Sequence, residues 1–229
     1  MIEKLTNLIL WLKWKLNLKL NVNLKKPVAL NLGCGLEVHN NWFNIDGSFN
    51  AFLSRFPIFI IRIAYRFSGS RNHYTEDEYI KILKNNKFFQ YNLKYGIPVK
   101  SNSVDFIFSC HFIEHLSKND AKFLMHECYR VLKKGGVIRT VIPDLDHAIT
   151  LMNNGEKSKA LNDYFFIEEG EITDFSRHKY MYDFDLFKKL LNSYTFTNVT
   201  KYEFQNGKVP NIDILDNRSD DSIYIEATK

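Results

Sequence analysis

The chain has 229 residues, of which 45% are hydrophobic and 15% aromatic, and its formal net charge is +5. This composition excludes a disordered chain, and the length is enough for one domain with a full core. The modest charge gives no signal for a nucleic-acid partner, and three scattered cysteines without a Cys-x-x-Cys pair favour a reducing cytoplasm over a zinc site or a disulfide framework.

Residues 1–26 are predicted to form an amphipathic basic segment ahead of a main domain at 27–229. The longest apolar run, 8–12, is far below the roughly 18–20 residues of a membrane-spanning helix. Two interpretations remain open: residues 1–24 lie on the inner face of a membrane, or they pack on the domain or a partner. One helical face gathers the apolar residues Leu5, Leu8, Ile9, Leu12 and Leu16, with lysines nearby.

From Pro27 onward, strand-like and helix-like segments alternate, which predicts an α/β fold with a mostly parallel sheet. The segment at 104–109 is a continuous apolar run, typical of a strand that is buried on both faces. The predicted strands are 28–32, 42–46, 87–92, 104–109 and 137–142, with two late strands at 198–204 and 222–228.

The predicted helices have recognisable ends. Ser117 opens one that Gly135 and Gly136 stop, and Asp183 caps another. Residues 146–170 are expected to form a helix and a mixed loop. The long loop at 205–221 is a candidate lid or binding loop.

Residues 50–86 interrupt the alternation as a helical insertion between strands two and three. The sheet does not require them, and their apolar, aromatic and arginine residues fit three roles equally. They could cap the substrate site, form a dimer surface or face a membrane.

Four features follow four strands of the predicted sheet, and the carboxyl ends of parallel strands meet at one edge. Gly33 and Gly35 flank Cys34 after the first strand, and Asp46, Asn92 and Ser109 end the next three. Glycine admits a ligand without a Cβ clash, and an acid after strand two can accept both hydroxyls of a ribose. The sequence therefore predicts a nucleoside-binding edge.

The turn GCGLEVHNN lacks the GxGxxG pattern that places a pyrophosphate on a helix N-terminus. A nucleoside without phosphates fits it better than a dinucleotide does. This favours S-adenosylmethionine over NAD as the cofactor.

The segments LNLGCG, NIDGS, IPVKSNSVDFIFSCHFIEHL and ECYRVLKKGGVIRTVIPDLD together resemble the class I S-adenosylmethionine-dependent methyltransferases, and most closely the type 11 methyltransferase domain. The resemblance covers about 30–145 and continues near 178–191. It implies a Rossmann-like sheet of about seven strands, mostly parallel with an antiparallel last strand. The tail NIDILDNRSDDSIYIEA is similar to members associated with surface-polysaccharide biosynthesis.

By this resemblance, Gly33 and Gly35 would hold the methionine moiety of the cofactor, and Asp46 would bind the ribose hydroxyls. Asn92 would lie near the adenine and Ser109 beside the cofactor.

The chain departs from the family pattern in two places. Asn31 is the nearest polar residue to the position where the first motif usually has an acid, so we include it in the cofactor site. The segment from Gly35 to Asp46 is short, which predicts a truncated first helix.

Three residues are candidates for the catalytic step. His111 follows strand four and could act as a base on a hydroxyl acceptor, or could serve only as a hydrogen-bonding loop histidine. Asp144, after strand five, could orient the base or bind a sugar, or could be a helix N-terminal acid. His178 is the alternative base, or part of a buried polar anchor with Arg177 and Tyr182.

Four other histidines, His39, His73, His126 and His147, show no metal-ligand spacing with carboxylates, so no metal is expected. The function predicted from the sequence is O-methylation of a sugar hydroxyl on a small molecule or glycan, in polysaccharide or glycolipid biosynthesis. Methylation of a lipid or quinone-like metabolite, and a cofactor-binding module without catalysis, are the alternatives. The oligomeric state is left open.

Overall fold

The computed structural model describes residues 2–24, 26–166 and 177–229. A seven-stranded sheet forms its centre, with the strand order β3-β2-β1-β4-β5-β7-β6. The strands are β1 (Ala29–Leu32), β2 (Phe43–Asp46), β3 (Lys87–Gln90), β4 (Val104–Cys110), β5 (Leu132–Pro143), β6 (Thr197–Tyr202) and β7 (Ser222–Thr228).

The five strands from β3 to β5 run parallel, and β7 runs antiparallel between β5 and β6. Strand order reverses between β1 and β4, which is the switch point where ligands bind in such sheets. All seven predicted strands are present, and the predicted α/β fold with its antiparallel last strand is confirmed.

Nine helices flank the strands in the described part of the chain, together with short 3₁₀ and π turns. They are α1 (Ile2–Lys15), α2 (Phe49–Leu53), α3 (Ile58–Arg66), α4 (Glu76–Asn85), α5 (Lys118–Val131), α6 (Leu145–Asn153), α7 (Lys157–Ala160), α8 (Phe184–Asn192) and α9 (Ile212–Leu215).

The caps predicted for α5 and α8 are present, because Ser117 and Asp183 accept backbone N–H groups of the first turns. The predicted stop of α5 at Gly135 and Gly136 is wrong. The helix ends at Val131, and the next residue already pairs with β4 across a bulge, so both glycines belong to β5.

After α6 the chain forms α7 and a π turn, Leu161–Phe165. The end of the mixed loop predicted to residue 170 lies outside the described residues.

The truncated first helix is confirmed, since residues 33–42 contain no helix between β1 and β2. Two buried amides support this loop instead. Asn31 Nδ2 donates to Glu37 O at 2.9 Å and to Asn44 Oδ1 at 3.1 Å. Asn44 Nδ2 in turn donates to the carbonyl of His39. Side chains thereby satisfy backbone groups that a helix would have satisfied internally.

The insertion at 50–86 folds into α2, α3 and α4 around a small core of its own, in which Leu53, Ile61, Tyr79 and Leu83 are buried. Leu36 of the loop after β1 packs against this core. The insertion therefore lies beside the turn that follows β1.

Helix α1 docks on the domain through Leu10, which is buried, and through Lys13, whose Nζ donates to Gln90 Oε1 at 2.7 Å. The apolar face predicted from the sequence does not pack on the domain. Its residues Leu8 and Leu12, and Leu16 just after the helix, are exposed to solvent. The packed interpretation is thus correct for one face of α1, while the leucine face is open. Each helix within the described ranges is too short or too polar to cross a membrane.

Candidate active site

The turn after β1 is closed by the carboxylate that ends β2. Gly33 and Gly35 have φ values of +64° and +52°, which favour glycine. The Gly35 N–H donates to Asp46 Oδ2 at 2.9 Å, and the Ser48 N–H donates to Asp46 Oδ1 at 2.6 Å. Each carboxylate oxygen can accept a second hydrogen bond, so Asp46 retains acceptor capacity on both oxygens.

The two glycines serve different purposes. A Cβ on Gly33 would lie 2.1 Å from the ring of Phe112, so this glycine makes room for a side chain of the protein itself. Nothing lies within 4 Å of the corresponding position on Gly35. Only Gly35 therefore faces open space that a ligand could enter.

A cavity of about 170 Å³ opens beside this turn. Asn31, Gly33, Gly35 and His111, all predicted site residues, line it. A larger cavity of about 420 Å³ lies between residues 19–24 and 99–103, just before β4 begins, at the opposite edge of the sheet from His111. These four predicted residues line the smaller cavity, whereas the larger one is lined by no predicted site residue.

Three predicted cofactor residues, Asp46, Asn92 and Ser109, do not line this cavity. Asn92 caps a 3₁₀ turn, with its Oδ1 accepting the Lys94 N–H at 3.0 Å. Ser109 is buried beside Thr140 of β5, and neither hydroxyl has a hydrogen-bond partner in the described structure.

His111 is held from both sides. Its backbone φ is +45°, and its backbone N–H donates to Val141 O at 2.9 Å. Its Nε2 lies 2.7 Å from Ser222 Oγ, and that hydroxyl donates to Asp221 Oδ1 at 3.1 Å. Burial lowers the pKa of His111 to about 4, and the positive charge of Arg218 adds to the shift. The imidazole is therefore neutral at pH 7.

A second group of titratable side chains begins three residues later. The carboxyl group of Glu114 is buried, and neither of its oxygens has a hydrogen-bond partner among the described residues. Its Oε1 lies 3.6 Å from His111 Nδ1 and 4.0 Å from His115 Nε2. The ring of His178 lies 5.0 Å from that of His115. The predicted bases His111 and His178 thus lie near the same carboxylate.

Burial shifts the pKa values of this group toward the neutral forms. It raises the pKa of Glu114 to about 8 and lowers that of His115 to about 4. The pKa of His178 is also lowered by burial.

Asp144 lies at the end of β5, as expected, but it does not line the cavity. Its Oδ1 accepts the Asp146 N–H at 3.0 Å and caps α6, while Oδ2 lies 3.9 Å from Lys201 Nζ. The helix-terminal interpretation describes its side chain.

Several residues that line the cavity were not singled out from the sequence. Glu37 belongs to the loop after β1, and its Oε1 accepts the hydroxyl of Tyr74 from the insertion at 2.7 Å. Asn217 and Arg218 come from the loop at 205–221. The length of that loop was the available signal, and the structure places it at the site.

Comparisons with known proteins bear on this arrangement. Residues 70–140 match the family described as Methyltransferase domain. A SAM-dependent methyltransferase from Archaeoglobus fulgidus is similar in structure at 16% identity, with a TM-score of 0.50, over 89% of this chain and 86% of the other.

A second structure, a SAM-dependent methyltransferase from Thermotoga maritima, is 14% identical with a TM-score of 0.48, over 89% and 82% of the two chains. None of the curated proteins compared matches the chain. Residues 70–140 thus match a methyltransferase domain, and the fold of the chain is similar to that of a SAM-dependent methyltransferase.

Proposed function

We propose that this protein is a class I S-adenosylmethionine-dependent methyltransferase that methylates a hydroxyl of a small molecule or glycan, and that the acceptor is a sugar hydroxyl in polysaccharide or glycolipid biosynthesis. The position of His111 carries the proposal. It lines the cavity beside the glycine turn, and a chain of two hydrogen bonds through Ser222 to Asp221 fixes its ring. A neutral alcohol is a poor nucleophile, so a hydroxyl acceptor needs a base at this place.

The residues around the glycine turn fit the cofactor. Asp46 keeps one acceptor position on each oxygen, which matches the two hydroxyls of a ribose. The open space beside Gly35 allows a ligand to approach the backbone. Asn92 can donate its amide N–H groups to an adenine edge while its oxygen caps the 3₁₀ turn.

Glu37 can replace the acid that the first motif lacks. Asn31 donates its amide to the protein itself, whereas Glu37 brings a carboxylate to the cavity and is held there by Tyr74. We assign Glu37 to the amino group of the methionine moiety. The insertion then takes part in cofactor binding through Tyr74.

S-adenosylmethionine, when bound, supplies an electrophilic methyl group on a sulfonium. The protein must position the acceptor and remove its proton. Ser222 donates its hydrogen to Asp221 and therefore accepts from Nε2–H of His111, which leaves the lone pair on Nδ1. Nδ1 would take the proton of the acceptor hydroxyl.

Three polar or charged side chains at the cavity favour a sugar over a lipid or quinone-like acceptor. Glu37, Asn217 and Arg218 offer hydrogen bonds to hydroxyls or to the phosphates of a nucleotide sugar. The apolar residues of the insertion that a lipid pocket would need include Phe59, Ile63 and Phe67, and these are exposed on and just after α3.

A peripheral membrane contact through residues 1–24 is the partner that we propose with this function. The leucine face of α1 is exposed, and Trp11 lies on the same open side, with Lys15 against its ring. Such a face binds anionic lipid surfaces through apolar burial and lysine charge. A glycolipid precursor would be met at that surface.

This membrane contact can be tested by vesicle sedimentation. The full chain with Leu8→Glu and Leu12→Glu should lose binding to anionic phosphatidylglycerol vesicles. Leu161→Glu, an exposed leucine elsewhere, should keep it. Equal sedimentation of all three proteins would remove the membrane from the proposal.

Calorimetry tests the cofactor site. Asp46→Ala should abolish measurable S-adenosylmethionine binding, and Glu37→Gln should weaken it about 10-fold or more, as expected when a hydrogen bond to a charged group is lost. His111→Ala should bind as the wild type does. Binding of NAD without S-adenosylmethionine would overturn the assignment of this site.

A radiolabelled methyl-transfer screen against nucleotide sugars and cell-envelope extracts tests the acceptor. Label should enter a sugar, and His111→Ala should reduce turnover about 100-fold or more, within the usual range for a general base. His126→Ala is the matched control and should stay active, since His126 is exposed on α5. Label in a lipid or quinone fraction would favour that acceptor, and cofactor binding without any transfer would favour a non-catalytic module.

A further inference from the structure

We propose that Glu114, His115 and His178 form a binding site for one divalent transition-metal ion, with zinc as its simplest occupant. Each of the three side chains offers one potential ligand atom, and these three atoms lie within 4.8 Å of one another. The expectation of no metal rested on four other histidines, and none of those belongs to this group.

The hydrogen bonds of the two histidines determine which ring nitrogens are bare. His115 Nδ1 lies 3.1 Å from the carbonyl oxygen of Arg177, and His178 Nδ1 lies 2.7 Å from that of Tyr164. A carbonyl can only accept, so both Nδ1 atoms carry the hydrogen. Both Nε2 atoms then present lone pairs.

The third member also lacks a donor. Glu114 is 1% exposed, and within residues 2–24, 26–166 and 177–229 both of its buried carboxyl oxygens lack a hydrogen-bond partner. Two imidazoles with bare Nε2 atoms thus lie beside a buried carboxyl group that has no hydrogen-bond partner among the described residues. Leaving such acceptors buried and unpaired is costly, and a cation satisfies all three at once.

The same hydrogen bonds are those expected around metal-bound histidines. Metal-ligating imidazoles usually donate their other N–H to a backbone carbonyl or a carboxylate, which fixes the tautomer and the ring orientation. Backbone contacts hold the two halves of the site in register. The N–H groups of Lys179 and Tyr180 donate to the carbonyl oxygen of Glu114, at 2.6 Å and 3.2 Å.

Two imidazoles and a carboxylate suit zinc and the other divalent metals of the first transition row. Bonds of about 2.0–2.2 Å to a central ion would draw the ligand atoms roughly an ångström closer. Three protein ligands leave at least one coordination position open. The side chains of His115 and His178 are partly exposed, so water can reach that position.

Metal content is the direct test, and it requires neither S-adenosylmethionine nor an acceptor. The full chain is stripped with a chelator and dialysed against Zn²⁺, and bound zinc is measured by mass spectrometry. One ion per chain is expected. A Co²⁺ titration should then give ligand-field absorption in the visible range that zinc abolishes.

Variants show whether this site holds the ion. Zn²⁺ binding should be weakened by at least about 10–100-fold in each of the variants Glu114→Gln, His115→Ala and His178→Ala. Replacing a residue that only hydrogen-bonds to a metal ligand already has an effect of that size. His73→Ala, an exposed histidine of the insertion, should bind as the wild type does. Circular dichroism and S-adenosylmethionine affinity confirm that each variant is folded. Zinc below a tenth of an ion per chain, or equal binding by all variants, would overturn the proposal.

Discussion

The molecule places ionisable side chains close together in two regions, and the two regions differ in how these side chains are paired. In the first, here called the arginine cluster, Arg139 of β5 is fully buried between Asp216 and Glu226. Its Nη1 and Nη2 also donate to the carbonyls of Asn206 and Glu203. Every charged group of this cluster has partners of opposite sign.

The second place, the Glu114 cluster, consists of Glu114, His115 and His178, and in the described part of the chain no hydrogen bond reaches the carboxyl oxygens of Glu114. The difference shows what each cluster does. A network in which every donor and acceptor is paired stabilises one arrangement of the chain. A group that contains a buried carboxyl without a hydrogen-bond partner keeps its capacity for a ligand.

The arginine cluster also contributes to the site indirectly. The Gln205 N–H donates to Asp216 Oδ2 at 2.9 Å, and the Lys208 N–H donates to Glu226 at 3.0 Å. These bonds fasten the loop that carries Asn217 and Arg218 to the cavity. The paired cluster thus positions residues that the ligand would meet.

The largest expected effect comes from breaking the arginine cluster. Arg139→Met leaves two buried carboxylates without a cation and should lower the free energy of unfolding by about 3–5 kcal/mol. Urea denaturation measures it. Arg62→Met, which removes a surface pair with Glu76 at 3.1 Å, should change it by less than about 1 kcal/mol. If both variants lost the same free energy of unfolding, the arginine cluster would stabilise the protein no more than a surface ion pair does.

A methyl group added beside the arginine cluster should have the next largest effect. A Cβ on Gly207 would lie 2.2 Å from Glu226 Oε1 and 2.6 Å from Arg139 Nη1. Both atoms are fixed by their hydrogen bonds, so Gly207→Ala should destabilise the protein by about 1–3 kcal/mol, the usual cost of overpacking.

Gly69→Ala is the matched control, because nothing lies within 4 Å of its added Cβ. It should leave the thermal unfolding midpoint unchanged or slightly raised. If Gly207→Ala behaves in the same way, the arginine cluster has more room than its geometry indicates.

The Glu114 cluster should respond in the opposite way to a neutral substitution. Glu114→Gln keeps the shape of the side chain and removes no hydrogen bond to a described residue. The free energy of unfolding of the metal-free protein, measured by urea denaturation, should therefore change by less than about 1 kcal/mol. A loss of unfolding free energy as large as that of Arg139→Met would mean that Glu114 has a hydrogen-bond or ion-pair partner. The contrast between the clusters would then disappear.

The sequence was sufficient for features that depend on local pattern. Alternating apolar segments gave the seven strands, and glycines and polar residues at strand ends gave the edge where Asn31, Gly35 and His111 meet. Such features follow from periodicity and from the rule that parallel strands end together.

Features that depend on distant partners could not be predicted in this way. Arg139 lies inside an apolar strand, and its carboxylate partners are 77 and 87 residues away. His178 reaches Glu114 only because residues 179 and 180 bond to the turn after β4. The end of α5 was misplaced for a similar reason, because Leu132 pairs across the sheet with Val104 before the glycines are reached.

Lys13 of α1 is intermediate between the arginine cluster and the Glu114 cluster, and changing it should have the smallest effect on stability. It is half-buried, its Nζ donates to Gln90, and burial together with the nearby charge of Arg55 lowers its pKa to about 8. The ammonium group of Lys13 therefore loses its proton at a lower pH in the folded protein than in the unfolded chain. Between about pH 8 and 10.5 the unfolded state binds more protons, so the contribution of Lys13 to stability rises with pH.

Urea denaturation at pH 7.0 and pH 9.5 can isolate this contribution by comparison with Lys13→Met. The wild type should gain stability relative to the variant at the higher pH, by less than about 1 kcal/mol because water still reaches the amine. Lys4→Met, on an exposed residue of α1, should show no such difference. A relative loss at pH 9.5 would mean that the hydrogen bonds to Gln90 favour the charged amine more than burial opposes it, and Lys13 would then belong with the paired charges of the arginine cluster.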